Sequence, residues 1–554
     1  MKNKERKINS KIRINILAIV LIILFCFLIS PKTLQNDTFY TIKIGEYITE
    51  NGVTMQEPFS WHENLEYTFP HWAYDVMIYK IFTVGGMTGI YISTIILAAI
   101  FGITMYYVNV KLNKNRPLSL ILTITLLYLM RNYIAARAQL VTFILFLLTI
   151  YFIEKFLENG KLRYAIGLII IPVLIANFHT ATFYFYFVLY LPYIGEYMMY
   201  ILTQWDIIMI SHNIKRLKKK NKDNKEEINK KIEKLEAKKE KRAKIKQAKK
   251  DNPYKIKIDN KKNVKFLIII MIICLFTGFL TPLGTTPYTY LPKTMQGISM
   301  KNISEHLPLV LINNIDMICV LIFVIGLLMF TDTKIRMCDL FMLGGLLYLT
   351  FSSQRQSSMF VLAGVIIFNR MLTSMIQKYS PDMLPKLEKY ITNILGIIIV
   401  TCIVSIIGLH FYKKTADNQY INEKTYPVKA STWIKENLNL NEIRLYNAYN
   451  YGSYLIYEDI PVFIDSRCDL YMPEFNEGIN VFYDFLRIDS IGFSNMEAKM
   501  DDYNFTHYLI KRNSKLEVYF RAKGANYYRM IYPLGEVEDN AFCIYERILP
   551  WKRI

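Results

Sequence analysis

Seven residues stand out because their types can move protons, hold anions or ligate a metal, while their surroundings are apolar or aromatic. Asp37 lies in "QNDTFYTIKIGEYITENG", His71 closes "YTFPHW" and Arg137 lies in "RNYIAARAQL". Asn177 and His179 interrupt "LIANFHTATFYF", Glu305 lies in "NISEHLP" and Arg355 in "SSQRQSS". An amide or imidazole in a greasy run is costly unless something satisfies it, so Asn177 and His179 require partners. His71 and His179 are far apart and lack metal-ligand spacing. Each reads first as a hydrogen-bonded structural residue, next as a substrate contact and last as a ligand of a divalent cation. Asp37 is also suited to capping a helix at a membrane surface. Arginines at span ends commonly snorkel to headgroups, the preferred reading for Arg131. Asp316 in "NNIDMI" is an intramembrane carboxylate, read as bonded to Asn313 or a neighbouring helix. The chain carries no Walker loop, Rossmann glycine fingerprint or convincing Ser-His-Asp pattern.

The elements that must position these residues are membrane helices. Hydrophobic residues make up 53% of the 554 and aromatics 14%, and runs such as 14–30, 90–108, 264–280 and 391–411 approach the length that spans a bilayer. The net charge of +21 does not indicate nucleic acid, because residues 215–250 hold 18 basic and 6 acidic residues, a local excess of +12. A charge run of this kind is usually a solvated face, and isoleucine and leucine at 228, 232 and 235 predict one charged helix or a helical hairpin. Seven cysteines show no metal spacing. Cys468 and Cys543 are read as free thiols in preference to a disulfide.

A basic head before the first apolar run, with no cleavage site after it, predicts an uncleaved first span with its amino terminus in the cytoplasm. Basic loops at 111–117 and 154–163 and the lysine-rich block at 212–262 then fall inside, as the positive-inside rule asks. Residues 73–85 read as amphipathic, ahead of a second span at 89–109. The expected architecture is an α-helical polytopic membrane protein with about eleven transmembrane helices over 1–411. A small extracytoplasmic α/β domain follows over 412–554. In that tail, 444–467 reads as strands around Gly452, "THYLIKR" and "AFCIYERI" as further strands, and "VKASTWIKENL" as a helix. This topology sends the polar signals to the outer connections and leaves mostly lysines inside.

Taken in order, Asp37, Gly45 with "ENG", "EPFSW", "HW" at 71–72, "ARAQL", "ANFH", "TPLG", "SEH" and Arg355, then "YNYGSYLIY" and "FIDSRCDLY" in the tail, resemble a bacterial group of multi-span proteins related to the GT-C glycosyltransferases. The matches run from the first loop into the tail and miss only the lysine block. Glu57 stands where the group carries Asp before "PFS", and Phe39-Tyr40 replaces Trp-His. The resemblance implies an enzyme of the cell membrane that moves a sugar from a polyprenyl-phosphate donor to an extracytoplasmic glycan or protein acceptor. Asp37 would be the general base that takes the acceptor proton, and Arg137 and Arg355 the clamps on the lipid phosphate. His71, Asn177, His179 and Glu305 would line the cavity. A divalent cation is the one cofactor this chemistry leaves open, and membrane lipids rather than nucleic acid are the expected surroundings. Asp465 and Arg467 read as a structural pair. Two other classes compete: a transporter or flippase for lipid-linked glycans, which needs polar residues through the membrane depth, and a non-catalytic scaffold or sensor.

Overall fold

Apolar runs fold as helices here because a backbone surrounded by hydrocarbon must satisfy its own N–H and C=O groups. The computed structural model of the chain describes residues 2–219, 225–250, 256–259, 262–297, 299–492, 496–535 and 539–548. Among the described residues, six helical stretches are long and apolar enough to cross a membrane: Ser10–Ile29, Trp72–Asn113, Gln139–Asn159, Thr180–Lys218, Gln354–Tyr379 and Ile394–Thr415. Five shorter apolar helices accompany them, Arg116–Leu129, Leu162–Phe178, Val264–Phe279, Ile315–Phe330 and Met337–Ser352. Ile16, Ile96, Ile170, Ile269 and Ile403 leave large apolar side chains exposed on this bundle, as lipid-facing helices do. The expected amphipathic segment and second span form one helix, Trp72–Asn113, broken at Gly86 (φ 57°, ψ −150°). That backbone conformation favours glycine.

Inside the bundle, a polar seam links three helices. Asn369 donates to Asn109 Oδ1 (3.2 Å) and to Ser119 Oγ (3.0 Å), and Asn113 donates to the Ile366 carbonyl (3.2 Å). All four polar side chains are buried, so they act as directional glue where apolar packing alone gives little preference. Asp316 does not join such a network. It is exposed in the first turn of Ile315–Phe330 and makes no bond to Asn313 among the described residues. The expected interior carboxylate is therefore a helix-end residue.

The lysine-rich block folds as a hairpin of Leu191–Lys219 and Lys225–Lys250. Ile210, Ile214 and Ile232 are buried between its arms, with Leu217, Ile228 and Leu235 against them. Of the single helix and the hairpin that the apolar spacing allows, the chain forms the hairpin. The parts of the block at 220–224, 251–255 and 260–261 lie outside the described residues.

The tail forms a four-stranded sheet in the order Leu445–Tyr446, His507–Lys511, Phe542–Arg547, Tyr528–Tyr532. The first pair is parallel and the others antiparallel. Two expected strands and the expected helix, Val428–Asn437, are present. One expectation fails: Tyr449–Tyr457 is a helix, not a strand. Its aromatics are spaced for a helical face, and Tyr451, Tyr454 and Leu455 are buried together. Gly452 permits the arrangement, since a Cβ there would sit 2.0 Å from the Ile464 carbonyl oxygen.

The tail shares its core with the first loop. Phe39, Ile44 and Phe69 from the loop are buried in one cluster with Tyr454, Phe463 and Tyr508 from the tail. Trp61 Nε1 donates to the Leu445 carbonyl (3.1 Å), and Asn476 Nδ2 to that of Glu66 (3.0 Å). Arg467 joins the halves, 2.7 Å from Glu57 and bidentate to Asp465 (2.8 and 2.7 Å), with all three side chains fully buried. The free cysteines Cys468 and Cys543 are buried in this same core.

Candidate functional site

Asp37 sits in the first turn of the helix Asn36–Asn51, whose N-cap Gln35 makes no side-chain cap. Its carboxylate instead meets Arg137 across the chain, Oδ2 to Nη2 at 2.6 Å. Arg137 lies in the short turn before Gln139–Asn159, and its Nη1 is 3.7 Å from Glu305. Three separate connections thus place Asp37, Arg137 and Glu305 in one group. Burial opposes the charge on Arg137, but Asp37 and Glu305 outweigh it and raise the guanidinium above its ordinary value. The Arg137 Nε is buried with no hydrogen-bond partner among the described residues.

Beside this trio runs a second chain of contacts. Tyr40, one turn after Asp37, has its hydroxyl 3.2 Å from His71 Nε2, and His71 Nδ1 is 2.7 Å from Asp75 Oδ1. Both ring nitrogens of His71 are engaged within the protein. Burial works to lower its pKa, yet Asp75 more than compensates and Asp37 adds to it, so the net shift is upward. Gly45 lets these helices touch, because a Cβ there would lie 2.2 Å from the Asp75 carbonyl oxygen.

The "ANFH" turn docks on the same loop, with Thr180 N donating to the Pro70 carbonyl (2.8 Å). Asn177 accepts from Trp72 Nε1 (3.2 Å) and donates to the carbonyls of Val173 (2.8 Å) and Leu280 (2.9 Å). A side-chain amide satisfied this fully is a bracket between helices. The partners that an amide in this apolar run requires come from within the chain. His179 is buried and sits 2.8 Å from Thr142 Oγ1. Burial first, then the charges of Arg355, His71 and Arg137, push its pKa well below the ordinary value, which favours the neutral ring.

Arg355 behaves differently from Arg137. The turn carrying it is fixed by Gln354 N to the Leu307 carbonyl (2.9 Å) and by Ser353 Oγ to that of Glu305 (3.3 Å). Its guanidinium makes no ion pair among the described residues, while its charge acts on His179, His306 and Asp469. It is the uncompensated cation of the group. Arg131 stays apart, stacked over Tyr128 (4.7 Å) and Phe411 (5.2 Å) and bonded to the Tyr128 carbonyl (2.8 Å).

Several contributors were not singled out from the sequence. Asp75 has a signal, since His71 and Asp75 are four apart at a helix start and so share a face. Tyr40 has none beyond its place after Asp37. Asp469, partly buried in the tail, accepts the Tyr290 hydroxyl and feels Arg355. Asn36 Nδ2 donates to the Tyr449 carbonyl (3.2 Å), bringing a second tail segment beside Asp37. No group of three or more His, Cys, Asp or Glu suited to a metal ion occurs among the described residues.

The chain matches no family model and no curated protein.

Proposed function

We propose that this chain is a membrane glycosyltransferase of the GT-C kind, transferring a sugar from a polyprenyl-phosphate donor to an extracytoplasmic acceptor. In this reading the five shorter apolar helices cross with the six long ones, giving eleven spans. The amino terminus and lysine hairpin lie in the cytoplasm and the tail outside. One observation carries the reading: acid, arginine and glutamate from three separate connections converge at Asp37–Arg137–Glu305, with Arg355, unpaired among the described residues, close enough to act with Arg137 on His179. A carboxylate oriented by an arginine is suited to accept the proton of an attacking hydroxyl. A separate arginine, without an ion pair among the described residues, is suited to hold a departing phosphate. Arg137 therefore positions Asp37, and Arg355 takes the phosphate.

The test is the lipid fraction of a deletion strain. A polyprenyl-linked sugar should accumulate, and the wild-type gene should clear it while an Asp37→Asn gene does not. An unchanged set of lipid-linked sugars in the deletion strain would rule out this function.

A further inference from the structure

The helices that begin just after Arg137 and Arg355 carry a second charged cluster at their other ends. Glu154 lies 15 residues along the helix Gln139–Asn159, which is about 22 Å at 1.5 Å per residue. Arg370 lies 13 residues beyond Ser357 in Ser357–Tyr379, about 20 Å by the same rise. There Arg336 reaches Glu154 (2.5 Å) and Asp339 (2.6 Å), and Arg370 reaches Asp339 (2.5 Å) and Glu154 (3.3 Å). Two arginines and two carboxylates make a neutral, largely buried block.

That block forms the floor of a cavity of about 610 Å³, within the size range of small-molecule sites. Its lining holds five cations but only two carboxylates. Arg336 and Arg370 are committed to the floor, and Lys155 pairs with Glu158 (2.6 Å). The surplus charge belongs to Lys114 and Lys262, neither of which has an ion pair among the described residues. Lys114 is held in place by its own backbone, left-handed at φ 58° with its N–H on the Val110 carbonyl (2.9 Å). Asn263 bonds the Phe156 carbonyl (3.1 Å) and starts the helix Val264–Phe276 at the cavity wall, so a positive helix end adds to the field.

We infer that this cavity is a second binding site, selective for a phosphate group held between Lys114 and Lys262 over the neutral arginine–carboxylate floor. The phosphate belongs either to an anionic lipid headgroup or to a soluble phosphate compound, since both present the same oxygens. The floor supplies rigidity and the two lysines supply the net charge. This inference does not rest on the glycosyltransferase reading, because none of these residues touches the Asp37 group.

The experiment uses full-length protein in neutral detergent, with two probes. Inorganic pyrophosphate is titrated by calorimetry. Phosphatidylglycerol retention from mixed phosphatidylglycerol–phosphatidylcholine vesicles is read by native mass spectrometry. Wild type is compared with Lys114→Gln/Lys262→Gln and with a control of equal charge change, Lys234→Gln/Lys238→Gln on the hairpin. At least one probe should bind in a salt-sensitive way, and the cavity variant should weaken it by about tenfold or more, as expected for lost charge-assisted bonds. The control should bind as wild type does. Lipid retention alone assigns a headgroup, and pyrophosphate binding alone assigns a soluble ligand. Binding by neither probe, or equal weakening by both pairs of substitutions, overturns the site.

Discussion

Arg137 Nη2 holds Asp37 Oδ2 at 2.6 Å, joining the start of the helix Asn36–Asn51 to the turn before Gln139–Asn159, and both side chains remain about a quarter exposed. A pair this accessible is not a core strut. It keeps a carboxylate oriented while leaving it reachable, which divides labour between the two arginines of the group.

The Asp37 assignment predicts that Asp37→Asn keeps size and most hydrogen bonding but removes the proton acceptor. Turnover should fall by about 10²–10⁴-fold, the usual contribution of a general base. Retention of the lipid-phosphate donor should survive. Helix capping does not explain the residue, because its carboxylate is turned to Arg137. A well-folded Asp37→Asn protein that clears the accumulated lipid as fast as wild type would end the catalytic assignment.

The two arginines should fail in different ways. Arg355→Gln removes a cation that makes no ion pair among the described residues, so donor retention should drop by about tenfold or more with little change in melting temperature. Arg137→Gln strands Asp37 and Glu305 beside each other, so it should lower both turnover and melting temperature while donor retention changes less. Measuring retention and melting on the same preparations decides the matter. Identical profiles for the two variants would remove the division of labour.

The buried Glu57–Arg467–Asp465 cluster should dominate the docking of the tail. Arg467→Met leaves two carboxylates buried without their cation, a loss of about 3–5 kcal/mol by the usual cost of breaking such pairs. Gly452→Ala drives a Cβ into the Ile464 carbonyl and should cost about 1–3 kcal/mol through overpacking. Limited proteolysis at the tail and denaturant unfolding report both. Wild-type resistance in Arg467→Met would show that the apolar core alone seats the tail.

The sequence exposes what repeats or contrasts and conceals what depends on distant partners. Apolar runs, the lysine hairpin and the strands at 507–511 and 542–547 are legible because each follows a local period or composition. The helix Tyr449–Tyr457 is not, since Tyr and Ile favour strands locally and only packing against the first loop makes it helical. That Asp37, Arg137, Glu305 and Arg355 lie in connections between apolar helices is legible from the apolar runs that flank them. Their pairing is not: nothing local says that Arg137 is taken by Asp37 while Arg355 is left free. Glu57 shows the same limit. It looks like a departure within a motif, and its reason, Arg467, lies 410 positions later.

Topology gives a direct check on the whole arrangement. On a cysteine-free background, a cysteine at the exposed Glu436 should react with an impermeant maleimide in intact cells. One at Lys238, in the hairpin, should react only after permeabilisation. The expectation rests on basic residues clustering on one side of the bundle. Protection of position 436 would place the Asp37 group on the cytoplasmic face and remove the donor geometry with it.

The Tyr40–His71–Asp75 chain predicts a pH dependence of stability. His71 is shifted upward from its ordinary value of 6.5, because Asp75, with help from Asp37, outweighs burial and the opposing charge of Arg137. The folded protein then holds a proton on His71 at pH values where the unfolded chain has released it. Stability rises with pH only where the unfolded state binds more protons, so here it must fall. The contribution is complete below pH 6.5 and is lost as the pH climbs through the raised folded value. His71→Asn keeps a donor toward Asp75 but cannot titrate. Melting temperatures of wild type and His71→Asn, followed from mildly acidic to alkaline pH, should therefore converge as the wild type loses its advantage. A constant gap between the two curves across that range would mean that His71 stays neutral and that the Asp75 contact is an ordinary hydrogen bond.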